Sequence, residues 1–233
     1  MPRPWRVSAG SVCSISFRTR ENPMRYPVVM EVAGPLAMFA RPDTGLAPTS
    51  YPAPTSTACK GMFEAIAMFA DGRAWFSPRR VEICRPVGSP GGRIRFQRYT
   101  TSYAGPLRKS ALVRADQQMQ VMATVLADVC YRLHADIEGE PPRGGQNPAH
   151  HLQDLFLRRL KRGQCFRTPA LGWREFTCSY WGTPRDGYEV DDGLDLTLPS
   201  MLTDMWDQPC GGRYRPRFAQ NLCIRAGVLS YAQ

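Results

Sequence analysis

Met119–Ile137 reads MQVMATVLADVCYRLHADI, and its two halves follow different rules. In the first, the apolar residues Met119, Met122, Leu126 and Val129 recur three and four apart, the spacing of one helix face. From about Asp128 onward, Val129, Tyr131, Leu133, Ala135 and Ile137 occupy every second position, the spacing of a strand with one buried side. The reading is a helix that passes into a strand near Asp128, with a continuous helix to His134 as its competitor.

Working outward, Tyr26–Gly34 (YPVVMEVAG) is β-branched and alternating, hence a strand. Residues 41–55 form a long Pro/Thr/Ser/Tyr-rich loop, and loops of that length in a folded domain are often functional. Ser56–Phe69 (STACKGMFEAIAMF) opens on capping hydroxyls and carries Met62, Phe63, Ile66 and Phe69 on one face of a predicted helix. Arg80–Val87 and Arg93–Tyr99 alternate around the Gly-Ser-Pro-Gly-Gly tract at 88–92, which predicts a hairpin. A second loop spans 100–115. The resulting order, strand–helix–strand–strand–helix–strand over residues 26–140, is an α+β, ferredoxin-like arrangement. RRM-type proteins use it to lay RNA on the open sheet face, although topology alone assigns no function.

Beyond a Gly/Pro linker at 139–146, Asn147–Arg162 (NPAHHLQDLFLRRLKR) has a helix-capping Asn147, Pro148 at the first turn and Gly163 as a stop. Leu152, Leu155, Phe156 and Leu160 form its apolar stripe. Residues 164–233 break into short strand-like runs, so the 141–233 region reads as a basic helix plus a small antiparallel β extension. Residues 1–25 read as a basic tail, either disordered or an arm on RNA, with Met24 as an alternative start.

The chain has 233 residues, 43% of them hydrophobic, which suffices for a core. Thirty basic residues oppose 20 acidic ones, and the lysines are only Lys60, Lys109 and Lys161. Arginine forks onto phosphate and stacks on bases, so this bias favours nucleic acid over a membrane surface. The eight cysteines contain no C-x-x-C pair and there are three histidines, which argues against a zinc module. Scattered thiols suit a reducing cytoplasm, and no apolar run reaches the length of a membrane span.

Two segments concentrate charge and rings. Arg158–Glu175 (RRLKRGQCFRTPALGWRE) holds Arg158, Arg159, Lys161, Arg162, Arg167 and Arg174 with Phe166 and Trp173. Guanidiniums take phosphates and rings stack on splayed bases; the competing reading of the helical part is charge complementing the macrodipole. Residues 98–114 hold Arg98, Arg108, Lys109 and Arg114 beside Tyr99 and Tyr103, a basic loop suited to clamp a backbone. His150 and His151, adjacent on a helix, point apart and read as surface or capping groups. Asp191, Asp192 and Asp195 read as turn residues rather than metal ligands. No glycine-rich nucleotide loop or nucleophile elbow is present, and no cofactor is expected.

Four strings carry a resemblance: Glu31–Arg41 (EVAGPLAMFAR), Ser50–Phe69 (SYPAPTSTACKGMFEAIAMF), Asp128–Ala135 (DVCYRLHA) and Asn147–Phe176 (NPAHHLQDLFLRRLKRGQCFRTPALGWREF). Together they resemble the CRISPR-associated Cas-five family of RAMP proteins, in particular the d-type subunit of type I-C Cascade. The resemblance implies a ferredoxin-like domain with a β-rich extension that holds the 5′ handle of CRISPR RNA in the cytoplasm. It implies that the subunit caps the backbone filament, contacts the backbone and large subunits, and lies near the protospacer-adjacent motif of target DNA. It also implies a metal-independent cut of precursor RNA within the repeat, in which a 2′-hydroxyl attacks the adjacent phosphate. The family's site is a tyrosine with a Lys-His pair. Tyr51 matches the tyrosine, whereas Val121-Met122 stands where the pair belongs. Lys109, Arg108 or Lys60 are the substitute sources of charge, and Tyr103 a substitute ring. The alternatives are a binding subunit, a binding subunit that also cuts, and a stand-alone RRM-like regulator.

Overall fold

The computed structural model describes residues 25–103, 119–141, 147–207 and 213–231. Its longest element is the strand Met119–Gly139, here β4 in chain order, so the helix predicted over its first half does not form. The elements before it are β1 (Tyr26–Ala37), α1 (Ser56–Ile66), β2 (Ala74–Pro86) and β3 (Phe96–Tyr103). After it come α2 (Pro148–Arg162), β5 (Tyr180–Gly182), β6 (Tyr188–Val190), β7 (Leu196–Asp207), β8 (Arg213–Arg225) and β9 (Val228–Ser230).

Both edges of β4 are paired along its length, and this tertiary pairing overrides the helical spacing. One edge runs antiparallel to β1, from Tyr26↔Ile137 to Ala37↔Leu126. Where β1 ends, the 41–55 loop takes over: Ser50 N–H donates to Thr124 O, and Thr124 N–H to Pro48 O. The other edge is shared end to end by β2 (Ala74↔Gly139 to Ile83↔Tyr131) and β3 (Phe96↔Leu126 to Tyr103↔Met119). The predicted 80–99 hairpin is therefore corrected: β2 and β3 each pair with β4, not with one another. Met122, placed on the supposed buried helical face, is 64% exposed, while Ala123 and Val125 are buried.

The change of pattern near Asp128 is real, but it marks a left-handed residue within one continuous strand. Asp128 adopts φ +51°, and the β1 pairing passes over it between Gly34↔Val129 and Leu36↔Ala127 with the register unchanged. Left-handed backbone is tolerated best by Gly, Asn and Asp. Here β4 passes from β2 to β3.

The helices follow their caps. Thr55 accepts the Ala58 N–H at the start of α1, which ends at Ile66 rather than Phe69. Asn147 accepts the Ala149 and His150 N–H groups of α2, and Gly163 closes it at φ +65°. α1 packs on β2 and β7, and α2 on β1, β2 and β4. Phe63, Phe76 and Phe156 meet between them with ring centroids 5.2–5.6 Å apart.

The sheet runs β5-β1-β4-β2-β9-β8-β7, with β3 on β4 and β6 on β2. The fold is thus α+β, a largely antiparallel sheet with two helices. The C-terminal strands are not a separate small sheet of short runs: β7 and β8 span 12 and 13 residues, and β9 joins them to β2. Their Leu198, Met201, Leu222 and Ile224 belong to the same apolar core as Val32 and Phe63. On the sheet face away from the helices, Glu31 is fully buried between Arg185 (2.6 Å) and Arg132 (3.2 Å). The Arg185 guanidinium lies over the rings of Tyr180 and Tyr188. No helix among the described residues is long and apolar enough to cross a membrane.

Candidate RNA interface

The segment from Gly163 to Phe176 leaves α2, crosses α1 and docks on the end of β1. The Phe166 and Arg167 N–H groups both donate to Ala65 O of α1, and Met38 N–H donates to Leu171 O. Gly172 has φ +92°, and any side chain there would collide with the Met38 carbonyl. This docking opens a cleft of about 490 Å³ between the small-residue face of α1 (Ala58, Gly61, Ala65) and Arg167, Thr168 and Arg174. Arg167 and Arg174 are exposed, as are Arg158, Lys161 and Arg162 at the end of α2. Of these five bases only Arg167 and Arg174 line the cleft, and none of the five has an ionic partner among the described residues.

Arg159 stands apart from its neighbours. Its guanidinium donates to Ile66 O at 2.7 Å, capping the last turn of α1. It ties α2 to α1, so its contact is internal. Lys60 lies on α1, 3.8 Å from Glu64, in an i,i+4 pair. Arg98 is exposed on β3. Tyr103 ends β3, but its side chain lies outside the described residues, as do Arg108 and Lys109.

Trp173 is half-buried, its indole stacked on Phe176 (5.8 Å, 21°), which in turn meets Tyr99 edge-on at 5.0 Å. The Tyr99 hydroxyl reaches Glu175 at 3.5 Å. Trp173 and Glu175 line a second, mostly apolar cleft of about 440 Å³ with Leu46, Pro48, Thr101 and Val121.

Tyr51 is buried, at the wall of a third cleft of about 460 Å³ with Arg41, Asp43, Ser200 and Phe218. Its hydroxyl oxygen accepts the Leu202 N–H at 3.2 Å, and Arg41 lies 5.8 Å from its ring centre. Burial pushes the phenol above its ordinary value, and the Leu202 N–H offsets part of that rise. Tyr51 therefore keeps its proton at neutral pH and is suited to donate it, not to act as a base. The histidines are engaged elsewhere: His134 with Glu82 at 2.9 Å, His150 with Asp154 at 3.4 Å, His151 against Phe69. Val121 and Met122, at the family's Lys-His position, lie in β4 opposite Thr101 and Thr100.

Among the described residues no cluster of His, Cys, Asp or Glu is arranged to hold a metal. Asp191 accepts the Gly92 N–H and Asp195 that of Ala226, the turn roles read from sequence. The sequence reading missed Arg41, which reaches Tyr51 from ten residues away, and Arg132 and Arg185, whose shared partner is Glu31. Only Arg41 offered a signal, since it lies beside the same long loop as Tyr51.

Against known proteins, residues 28–186 match the Cas5d model of the CRISPR-associated protein (Cas_Cas5) family. The chain belongs to the Cas5 family. Among Cas5d proteins it is 35% identical, over 76% of its length and 72% of the relative's, to the CRISPR pre-crRNA endoribonuclease Cas5d of Thermus thermophilus. It is 26% identical, over 78% and 80%, to the protein of the same name from Mannheimia succiniciproducens. Its fold resembles a solved CRISPR-associated protein (TM-score 0.61, 18% identity, 89% of this chain and 92% of that one). A functionally uncharacterized protein from Streptococcus mutans is equally similar (TM-score 0.62, 17% identity, 89% and 92%). The Cas5d match spans β1 to Asp186 and so includes both long loops, α2 and the 490 Å³ cleft.

Proposed function

We propose that this chain is the CRISPR RNA-binding subunit of a type I-C-like Cascade complex, a cytoplasmic protein that holds the 5′ handle and caps the backbone filament. The observation that carries this reading is the pair of exposed bases Arg167 and Arg174 lining a 490 Å³ cleft within the family-matched region, with Arg158, Lys161 and Arg162 exposed at the end of α2. Phosphates bind such guanidiniums through paired hydrogen bonds and release counterions. The ferredoxin-like reading is supported by the order β5-β1-β4-β2, the antiparallel 4-1-3-2 pattern with α1 and α2 as crossovers. On this reading the large subunit and the target DNA near its protospacer-adjacent motif lie against the remaining surface. The test is binding of labelled cognate repeat RNA over a salt series. Arg167→Ala with Arg174→Ala should weaken binding at least about tenfold and make its salt dependence shallower. Unchanged affinity and slope would remove the pair and its cleft from the interface.

The second reading adds cleavage of precursor RNA, the activity named in both Cas5d relatives. Tyr51 favours it: its hydroxyl oxygen accepts from Leu202, and its own proton has no acceptor among the described residues. Attack of a 2′-hydroxyl on the neighbouring phosphate would leave a cyclic phosphate and a 5′-hydroxyl, with the 2′-hydroxyl proton passing to water and the phenol protonating the leaving oxygen. Arg41 would offset the developing charge. Lys109 remains a candidate for that charge role. Incubation with repeat RNA in EDTA, repeated with Tyr51→Phe, decides this: cleavage lost in the variant supports the reading, and absence of cleavage with intact binding leaves only the structural role.

A further inference from the structure

Residues 172–175 form a ridge whose successive side chains face opposite clefts. Gly172 and Arg174 border the 490 Å³ cleft, whereas Trp173 and Glu175 border the apolar 440 Å³ cleft. This two-residue alternation puts a cation on one side of the ridge and an aromatic wall with a carboxylate on the other. A unit that is anionic at one end, and flat, apolar-faced and hydrogen-bonding at the other, matches that pair of surfaces. A nucleotide is such a unit. Aromatic walls hold bases through stacking, and polar edges then select among them.

We infer that the 440 Å³ cleft takes one unpaired nucleobase of the bound RNA and that Glu175 selects guanine there. This inference rests on the RNA-binding reading above. Trp173 is held from one side by Phe176, which fixes the wall a base would meet. Glu175 is exposed, and one of its oxygens is engaged only by the long 3.5 Å contact from Tyr99. A carboxylate accepts but does not donate. Guanine presents two adjacent N–H donors, its ring N–H and its amino group, to both carboxylate oxygens. Adenine and cytosine present one amino group each, beside a ring nitrogen that repels the second oxygen. Uracil presents a single ring N–H between two carbonyls, the poorest match. The phosphate of the same nucleotide lies across the ridge on Arg174.

The experiment measures binding of unpaired RNA octamers, (UG)4, (UA)4, (UC)4 and U8, by anisotropy at one low salt concentration. The full chain is compared with Glu175→Gln and Trp173→Phe. (UG)4 should bind about tenfold more tightly than U8, with (UA)4 and (UC)4 between them. Glu175→Gln, a surface change of the same shape, should bring all four within about twofold while leaving salt-dependent binding in place. Trp173→Phe keeps an apolar ring against Phe176 but shrinks the wall, so it should weaken all four and keep their order. Equal affinities for the four octamers, an order that survives Glu175→Gln, or no octamer binding at all would overturn the inference. Repeat RNA run in parallel separates the two readings: if it binds in any of those cases, the guanine site fails and the RNA-binding reading stands. If neither octamers nor repeat RNA bind, both fall.

Discussion

Arg159 donates a 2.7 Å hydrogen bond to the carbonyl of Ile66, the last residue of α1. One arginine of a basic run thus works inside the protein while its neighbours Arg158, Lys161 and Arg162 face outward. Arg159→Ala should therefore lower stability by about 1–2 kcal/mol, through loss of a charge-assisted bond at a helix end. Arg158→Ala should leave the melting temperature unchanged and weaken RNA binding. Thermal denaturation beside RNA titration of both variants checks the division, and a reversed pattern would contradict it.

Glu31 holds two cations at once. With Arg185 at 2.6 Å and Arg132 at 3.2 Å, Glu31→Gln leaves both without their anion on a covered sheet face. The expected loss is about 3 kcal/mol in urea denaturation, because breaking one partner of a buried ionic group strands the others. A loss below about 1 kcal/mol would mean that water reaches the arginines in their place.

His134 predicts an acid-sensitive step. Burial lowers its pKa from the ordinary 6.5, and the positive charges of Arg80 and Arg132 act in the same direction, outweighing the opposing pull of Glu82. A histidine depressed in the fold is neutral in both states above 6.5, so its contribution is complete there. As pH falls below that value the unfolded chain takes up the proton first, and stability drops until the folded pKa is passed. Melting temperatures from pH 7.5 to 5 should fall, and His134→Gln should make the slope shallower. A slope identical to the parent's would exclude His134 as the source.

Tyr51→Phe carries a structural cost of its own. Removing the hydroxyl leaves the Leu202 N–H of β7 without its acceptor, worth about 1–3 kcal/mol. The variant should melt a few degrees lower yet stay folded by near-ultraviolet circular dichroism at assay temperature. Loss of cleavage under those conditions reports on chemistry and not on unfolding.

At Asp128, with φ +51°, glycine should be tolerated and a β-branched residue should not. Asp128→Gly relieves the left-handed strain and loses only the exposed Arg95 contact, so its net effect should be small. Asp128→Val should cost more than about 1 kcal/mol. Chemical denaturation of the pair tests whether this left-handed residue, where β4 changes partners, carries backbone strain.

What could be read from the chain and what could not separate along physical lines. Asn147, Pro148 and Gly163 announce α2 because caps are local chemistry, and the hydroxyl cluster at the start of Ser56–Phe69 announces α1, although the cap itself is Thr55, one residue earlier. Met119 to Leu126 misled because its partners, β3 and the 41–55 loop, are set by long-range pairing that no local period encodes. The same holds for the interface. Basic residues and Trp173 were visible as types, but the capping role of Arg159 depends on Ile66, 93 positions away. Cleft walls such as Gly61 and Glu175 carry no signal until the 163–176 segment folds across α1.

The three-residue β9 lies between β2 and β8 and follows both in the chain. Within this nine-stranded sheet it is the pairing link between the two halves, and in synthesis order it follows both of the strands it joins. Until Val228–Ser230 emerges, the β7–β8 ribbon and the β1–β4 half can each form, but with facing edges bare. Tyr231 then locks the seam, its N–H donating to Arg79 O and its hydroxyl to Pro54 O. Closure thus waits on an element synthesised after both edges it joins, and until then those edges are open to strand pairing with neighbouring nascent copies.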